Sequence, residues 1–311
     1  FVRKGRGEPH TVVGEYVGPF PSGAPAITVD AAARLGLRTG FIGVVGDDDF
    51  GAVVLNRFRS DGVDASRIRV ARGYTTGIAF VTYDREGNRR FVFHMRYSAA
   101  ALLSPRDVDE GYVASARALH ISGSSLSISG SVYEACRRAL EIARGHGLYV
   151  TFDPNVRPEL ADPEELRRLH EPFIRSADAV LLGGDEARVL MGVESPVDAA
   201  KSILDMGPCV VVLKLGPRGS AAVTRSGVVE VPAYLVEEVD PTGAGDVFNA
   251  AFIYGVLTGW DLEKVLRFAN AAAAVKVKRR GPMEGPRSLG EVEEVLRRGV
   301  LRTSLRTSPG S

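Results

Sequence analysis

Short apolar runs alternate with helix-patterned segments along most of this chain, and that rhythm narrows the fold more than any other feature. The runs at 40–45, 118–122, 148–152, 179–182 and 210–213 are too short for buried helices and apolar almost throughout. Strands covered on both faces read that way. Segments 53–60, 132–144, 163–175, 186–191, 196–205, 244–257, 262–276 and 289–298 carry helical patterning. Strands joined through helices build a mostly parallel sheet with right-handed crossovers, so the expected class is α/β. One segment breaks the rhythm. Residues 76–83 and 90–96 alternate in strand fashion around Asp84-Arg85-Glu86-Gly87-Asn88, a hairpin signal with Gly and Asn in the turn. It is either an edge hairpin of the main sheet or a separate small sheet.

Bulk properties exclude several classes. The chain of 311 residues is long enough for one large α/β domain with a small appendage. A formal net charge of +1 gives no face-wide basic excess for nucleic acid. No apolar run reaches membrane-spanning length and no secretory signal is visible, so no membrane partner and a cytoplasmic location are expected. Cys136 and Cys209 fall in a predicted helix and a predicted strand, as core residues rather than a disulfide or metal pair.

The chemistry concentrates in Asp240-Pro241-Thr242-Gly243-Ala244-Gly245-Asp246-Val247-Phe248. This stretch follows a β-like run at 228–239 and opens an apolar helix. A helix start offers unpaired N–H groups and the positive end of the dipole, and glycines let an anion approach them. Asp246 in the first turn could face a reacting hydroxyl. Alone, the same residues could be a tight turn with a dipole-stabilising acid.

The stretch resembles the C-terminal signature of the ribokinase-like (PfkB) carbohydrate kinases. Three more segments are similar to family signatures, in the family's order. They are Ala33-Arg34-Leu35-Gly36 with Phe41 to Gly51, then Phe152-Asp153-Pro154-Asn155-Val156-Arg157, then Lys214-Leu215-Gly216-Pro217-Arg218-Gly219. The resemblance spans about residues 22–287. It implies a ribokinase-like three-layer fold with a small β lid over the sugar. Residues 21–71 and 99–300 would form the core, and 1–20 with 72–98 the lid. Residues 301–311 read as a disordered tail. A first core strand carrying an acidic residue is expected upstream of Phe1. An exposed lid sheet has an edge and an apolar face to cover, which favours a homodimer through the lid.

The implied activity is transfer of the ATP γ-phosphoryl group to a sugar hydroxyl, with Mg²⁺. Asp246 would be the base, and the backbone of Gly243, Ala244 and Gly245 the anion hole. A free Asp has a pKa near ~3.9. Water, the reference for a sugar hydroxyl, sits at about 15.7. Asp246 therefore takes the proton late, as the bond to phosphorus forms. Lys214, Gly216 and Gly219 resemble the wall of the nucleotide site, or they close a hairpin into 220–224. Asn270, in a run of small residues, resembles an adenine-side residue, or it packs helices. Asp153 and Asn155 could orient Mg²⁺-bound waters or simply form an Asx turn with Pro154. Arg157 could hold a phosphoryl oxygen or a substrate carboxylate. Glu186 matches a family acid tied to Mg²⁺, although Gly183 stands where the family has Asn. Asp240 and Thr242 could help bind a monovalent cation, as in some relatives, or cap and turn.

Gly23 lies in Ser22-Gly23-Ala24-Pro25-Ala26-Ile27, similar to a segment that holds sugar hydroxyls, with Ile27 in place of Asn. Arg96 matches an Arg that fructokinase-like and 2-keto-3-deoxygluconate kinase-like members set near the sugar. The reading favours a neutral hexose or ketose. The alternatives are 2-keto-3-deoxygluconate, a nucleoside, or a non-catalytic sugar binder. A nicotinamide oxidoreductase would need a glycine fingerprint that 43–46 does not provide.

Overall fold

The computed structural model describes residues 1–86, 89–156 and 162–302. In chain order the elements begin with β1 (Val2–Arg3), β2 (Tyr16–Val17), α1 (Ala24–Arg34), β3 (Gly40–Gly46), α2 (Asp49–Asp61), β4 (Asp64–Ala71), β5 (Ile78–Tyr83) and β6 (Arg89–His94). The middle of the chain forms α3 (Glu110–Ala114), β7 (Ala118–Ser122), α4 (Gly130–Gly145), β8 (Tyr149–Asp153), α5 (Pro163–Ser176), β9 (Ala179–Gly183), α6 (Gly184–Met191) and α7 (Pro196–Leu204). The rest forms β10 (Val210–Lys214), β11 (Ser220–Thr224), β12 (Gly227–Val231), α8 (Ala244–Leu257), α9 (Leu262–Val277) and α10 (Leu289–Arg298).

The main sheet runs β12-β11-β10-β9-β8-β7. Strands β7 to β10 are parallel, and β11 and β12 turn back antiparallel. The apolar runs of the parallel strands explain their place. Val180, Leu181, Leu182, Val211, Val212 and Leu213 are all wholly buried between two helical layers. One core holds α4 to α7, and the other holds α1, α8 and α9. The helix α8 is apolar nearly all round, and α9 and α1 cover it. Polar N-caps start most of the outer helices: Asp48, Ser129, Asp162, Ser195 and Asp261 each accept a first-turn N–H.

The hairpin of β5 and β6 joins a four-stranded sheet, β2-β1-β5-β6, separate from the main one. Residue Phe1 belongs to this sheet too, since its carbonyl accepts from Val81 N at 3.0 Å. Strands β3 and β4 form a parallel pair of their own. The edges of β3 and β7 line one cavity of about 1120 Å³, which continues beneath β5 and β6 to Asp246.

Four readings of the sequence change. The run at 228–239 is a strand only to Val231; Pro232 has no N–H for a ladder, and an irregular connection leads to the glycine turn. The segment around Gly23 starts an eleven-residue helix, α1, with Pro near its first position. Strand β4 went unread because its polar positions, Ser66, Arg67 and Arg69, interrupt the apolar ones. Two residues of the expected tail 301–311 are held in place. Leu301 bridges to Tyr234, and Arg302 N donates to Ala233 O at 2.7 Å. Residues 303–311 lie outside the described residues.

Candidate active site

The parallel strands end on one side of the sheet, where α/β folds bind ligands. There β8 delivers Asp153, β10 delivers Lys214, and α8 starts between them and the small sheet. Lys214 Nζ sits 2.7 Å from Asp153 Oδ2. Asn249, one turn after Asp246, donates from Nδ2 to the same oxygen at 2.6 Å and accepts from Lys214 at 3.3 Å. Burial alone would push the Asp153 carboxyl up. The Lys214 charge and the hydrogen bonds from Lys214 and Asn249 outweigh it and hold the group ionised, below its ordinary value. Burial likewise opposes the Lys214 charge, and Asp153, Glu186 and Asp246 together keep its pKa raised. The ammonium lies 3.5 Å from where a Cβ on Gly245 would stand, so it borders the anion hole. Asn249 is wholly buried and was not foreseen. Only its pitch from Asp246 could have marked it.

Asp246 is half-buried in the first turn of α8 and lines the cavity. The turn before it needs glycine. Gly243 has φ 86°, and a Cβ there would collide with the Pro282 carbonyl. Ala244 N donates to Pro241 O at 3.1 Å, so its N–H closes the turn instead of facing an anion. Gly245 follows in the first turn of α8, beside Lys214.

Behind the hole lies a second buried network. Asp240 Oδ1 accepts Thr242 N at 2.9 Å and Tyr83 OH at 2.8 Å, and Oδ2 accepts Gly281 N at 2.9 Å. The hydroxyls of Tyr83 and Thr242 also hydrogen-bond. Burial, with the Asp240 charge, pushes the Tyr83 phenol up to about 12, so it stays a donor. Lys276, wholly buried, donates to the Asp240 carbonyl at 2.8 Å and the Arg279 carbonyl at 3.1 Å.

Other expected residues are placed less directly. Asn155 sits at φ 42°, its N–H held by Asp153 Oδ1 at 2.9 Å, an Asx turn with Pro154. Its buried Oδ1 has no protein partner. Both Glu186 oxygens accept main-chain N–H groups, Val156 at 2.8 Å and Gly183 at 2.6 Å, so this acid clamps two strand ends. Gly216 and Gly219 form the tight β10–β11 hairpin, at φ 57° and 100°. Asn270 donates its amide to the carbonyls of Val231 and Pro232, at 3.1 and 3.3 Å, at the end of β12. Gly23 caps α1 at the cavity wall. Arg96 does not line the cavity: β6 ends at His94, and Arg96 lies in the following turn, exposed. Arg89, at the other end of β6, lines it instead. Arg157 lies outside the described residues.

These groups fit a nucleotide polyphosphate. Two lysine charges stand near a helix start, and the buried acceptor Asn155 Oδ1 could take a hydrogen bond from a Mg²⁺-bound water. Among the described residues no group of three or more His, Cys, Asp or Glu could cage a metal. Mg²⁺ held chiefly by phosphate oxygens and water needs no such cage; Asp153 and Glu186, whose oxygens are already hydrogen-bonded, would meet it through those waters. Among the described residues no helix is long and apolar enough to cross a membrane.

The model of the pfkB family carbohydrate kinases matches residues 2–288. The chain is 34% identical to the 2-dehydro-3-deoxygluconokinase of Thermoproteus tenax, covering 91% of this chain and 87% of the relative. An Escherichia coli protein provisionally named ribokinase II, solved with ATP and Mg²⁺, superposes with a TM-score of 0.88 at 38% identity, covering 96% and 95% of the two chains. A double mutant of the Vibrio cholerae O395 fructokinase, solved with fructose, ADP and potassium, gives 0.80 at 27% identity, over 88% and 90%. With these matches and the Asp246 site on the same scaffold, the chain belongs to the PfkB family of carbohydrate kinases.

Proposed function

We propose that this kinase transfers the γ-phosphoryl group of ATP to a hydroxyl of a small neutral sugar, a hexose or ketose. One observation carries the reading: Asp246 opens α8 beside the Gly243–Gly245 turn, on the wall of a cavity shared with Gly23 and β6. Bound ATP supplies the phosphoryl group, with Mg²⁺ screening its charge. Asp246 orients the acceptor hydroxyl and takes its proton late. The Gly245 N–H and the Lys214 ammonium meet the charge on the transferring group. Asp153 and Asn249 keep Lys214 in place. The small sheet acts as a lid that limits water at the hydroxyl. The expected monovalent cation beside Asp240 and Thr242 would meet the Lys276 ammonium. Use of ATP suits the expected cytoplasmic location, and the edges of the small sheet suit the expected dimer.

A second reading is a keto-deoxy sugar acid. It draws on Arg89, a cation at the cavity where a carboxylate would be paired, and on the name of the Thermoproteus relative. ATP consumption against fructose, glucose, ribose, 2-keto-3-deoxygluconate, adenosine and cytidine separates the readings, with Asp246→Asn as the blank. A neutral sugar as the strong responder supports the first reading. A response to the acid alone, lost in Arg89→Met, replaces it with the second. Silence across the panel counts against both.

A further inference from the structure

We propose that Lys276 is a built-in substitute for the monovalent cation: its ammonium, fixed on α9, supplies the positive charge behind the 240–246 turn, so this chain works without dissociable potassium. The inference rests on the kinase reading above.

The atoms that could bind a free cation there are already used. Asp240 gives both carboxylate oxygens to Thr242 N, Gly281 N and Tyr83 OH, and the Thr242 hydroxyl is paired with Tyr83. The main-chain oxygen of Asp240 accepts from Lys276 Nζ at 2.8 Å, and that of Arg279 at 3.1 Å. Carbonyl oxygens are what potassium itself takes in protein sites. Here the cation is a tethered ammonium. A second cation on the same oxygens would have to displace the lysine or sit against its charge.

Burial holds the Lys276 pKa below the ordinary lysine value, while two carbonyl acceptors and nearby carboxylates support the charge. Lys276 is wholly buried in the run Ala271-Ala272-Ala273-Ala274-Val275-Lys276-Val277, where a charge is costly unless it is paired. Burial lowers its pKa, and Arg89 acts the same way. The carboxylates of Asp240, Glu284 and Asp246 act in the opposite direction. Asp246 is the proposed base, so the ammonium lies within electrostatic reach of the reacting hydroxyl. It also ties the 240 turn to residue 279. That places Pro282, whose carbonyl abuts Gly243, and so shapes the anion hole. Lys276 touches no substrate in this scheme and acts as a positioning residue.

The test compares the full chain with Lys276→Ala and Lys276→Met, in tetramethylammonium chloride and in potassium chloride at equal ionic strength. Three quantities are read: thermal midpoint, Mg·ATP affinity by calorimetry, and turnover with the sugar found above. The unaltered chain is expected to change by less than about twofold in turnover and ATP affinity between the salts, since equal ionic strength screens alike. Lys276→Ala is expected to lose roughly 10²-fold in turnover in tetramethylammonium, the scale of one preorganised electrostatic group. Potassium or ammonium then restores much of that loss and raises the variant's thermal midpoint. The proposal is overturned if potassium stimulates the unaltered chain several-fold. It is equally overturned if folded Lys276→Ala keeps full turnover in tetramethylammonium, or if its loss is not rescued by any monovalent ion. If neither variant folds, the salt response of the unaltered chain decides. If no sugar responds, the kinase reading fails by itself. The midpoints and ATP affinities still decide the role of Lys276.

Discussion

The pairing of Asp153 with Lys214 and Asn249 sets the residue-scale behaviour of the site. The carboxylate is almost wholly buried and the lysine side chain nearly so, with side-chain exposures of 2% and 15%. Removing the lysine strands a charge. Lys214→Met is therefore expected to cost about 3–5 kcal/mol of stability, the usual scale for breaking a buried pair from one side. Denaturant unfolding measures it, and the double variant with Asp153→Asn should recover much of the loss. A double variant as unstable as the single would show that the charge was not the cause. Asp246, the proposed base, is expected to behave differently. Asp246→Asn should leave Mg·ATP affinity nearly intact and cut turnover by roughly 10²–10⁴. Unchanged turnover would remove it from the role of base. The places of Asp153, Lys214 and Asp246 in the fold were legible in the sequence because each ends a strand or starts a helix beside a turn signal. Asn249 was not, since its partners lie 96 and 35 residues away and only the fold brings them together.

Elements meet at Tyr83, the last residue of β5, which reaches the 240–242 turn before α8. The small sheet and the anion hole are thereby joined through one hydroxyl. Tyr83→Phe leaves Asp240 and Thr242 short of a partner in a buried place, at a cost of about 1–3 kcal/mol. The cost should also appear in catalysis, as a fall in kcat larger than any change in the KM for ATP, because the hole would be less firmly set. Steady-state kinetics at saturating sugar reads this; equal kcat in both proteins would show that the joint is only structural. The hairpin itself was legible from its alternation and its Gly-Asn turn, but its register was not. Arg96 was picked out by resemblance and lies in the turn beyond β6, while pairing of Arg89 with Tyr83 brings Arg89 to the cavity. Helix α1 was hidden for another reason. Its start, Gly23-Ala24-Pro25, reads as a loop until Pro25 is placed in a first helical turn, where it has no N–H to satisfy.

Across the whole molecule, α1, α2 and the 283–284 segment are held by a cluster of charges, of which the quoted motifs contain Arg34 alone. Arg57 bridges Asp30 at 3.2 Å and Glu284 at 2.9 Å, and Arg34 bridges Asp61 at 2.8 Å and Asp30 at 3.5 Å. Arg57 also donates to the Met283 carbonyl at 2.5 Å, so the cluster supports the strand of chain that includes Pro282 and abuts Gly243. Burial pushes the Asp30 carboxyl up to about 7, helped by its hydrogen bond with Asp61 and opposed by Arg57 and Arg34. Asp61 moves the other way. Burial opposes its charge, and the hydrogen bonds from Asp30 and Arg34 outweigh burial and lower its pKa. The pair keeps one proton, on Asp30, until the pH rises to about 7. The sign for stability follows from which state holds that proton. Between the ordinary Asp value of 3.8 and about 7, the folded chain keeps a proton on Asp30 that the unfolded chain has lost. Stability from this site therefore falls as pH rises through that window. Below it, Asp61 gives the opposite slope, losing stability as pH drops through its lowered pKa. Asp30→Asn removes the upper slope and leaves the lower one. Thermal midpoints measured from about pH 4 to about pH 8 should decline in the unaltered chain more steeply than in Asp30→Asn. Parallel curves would mean that Asp30 is ionised throughout, and that the two arginines, not burial, govern its charge.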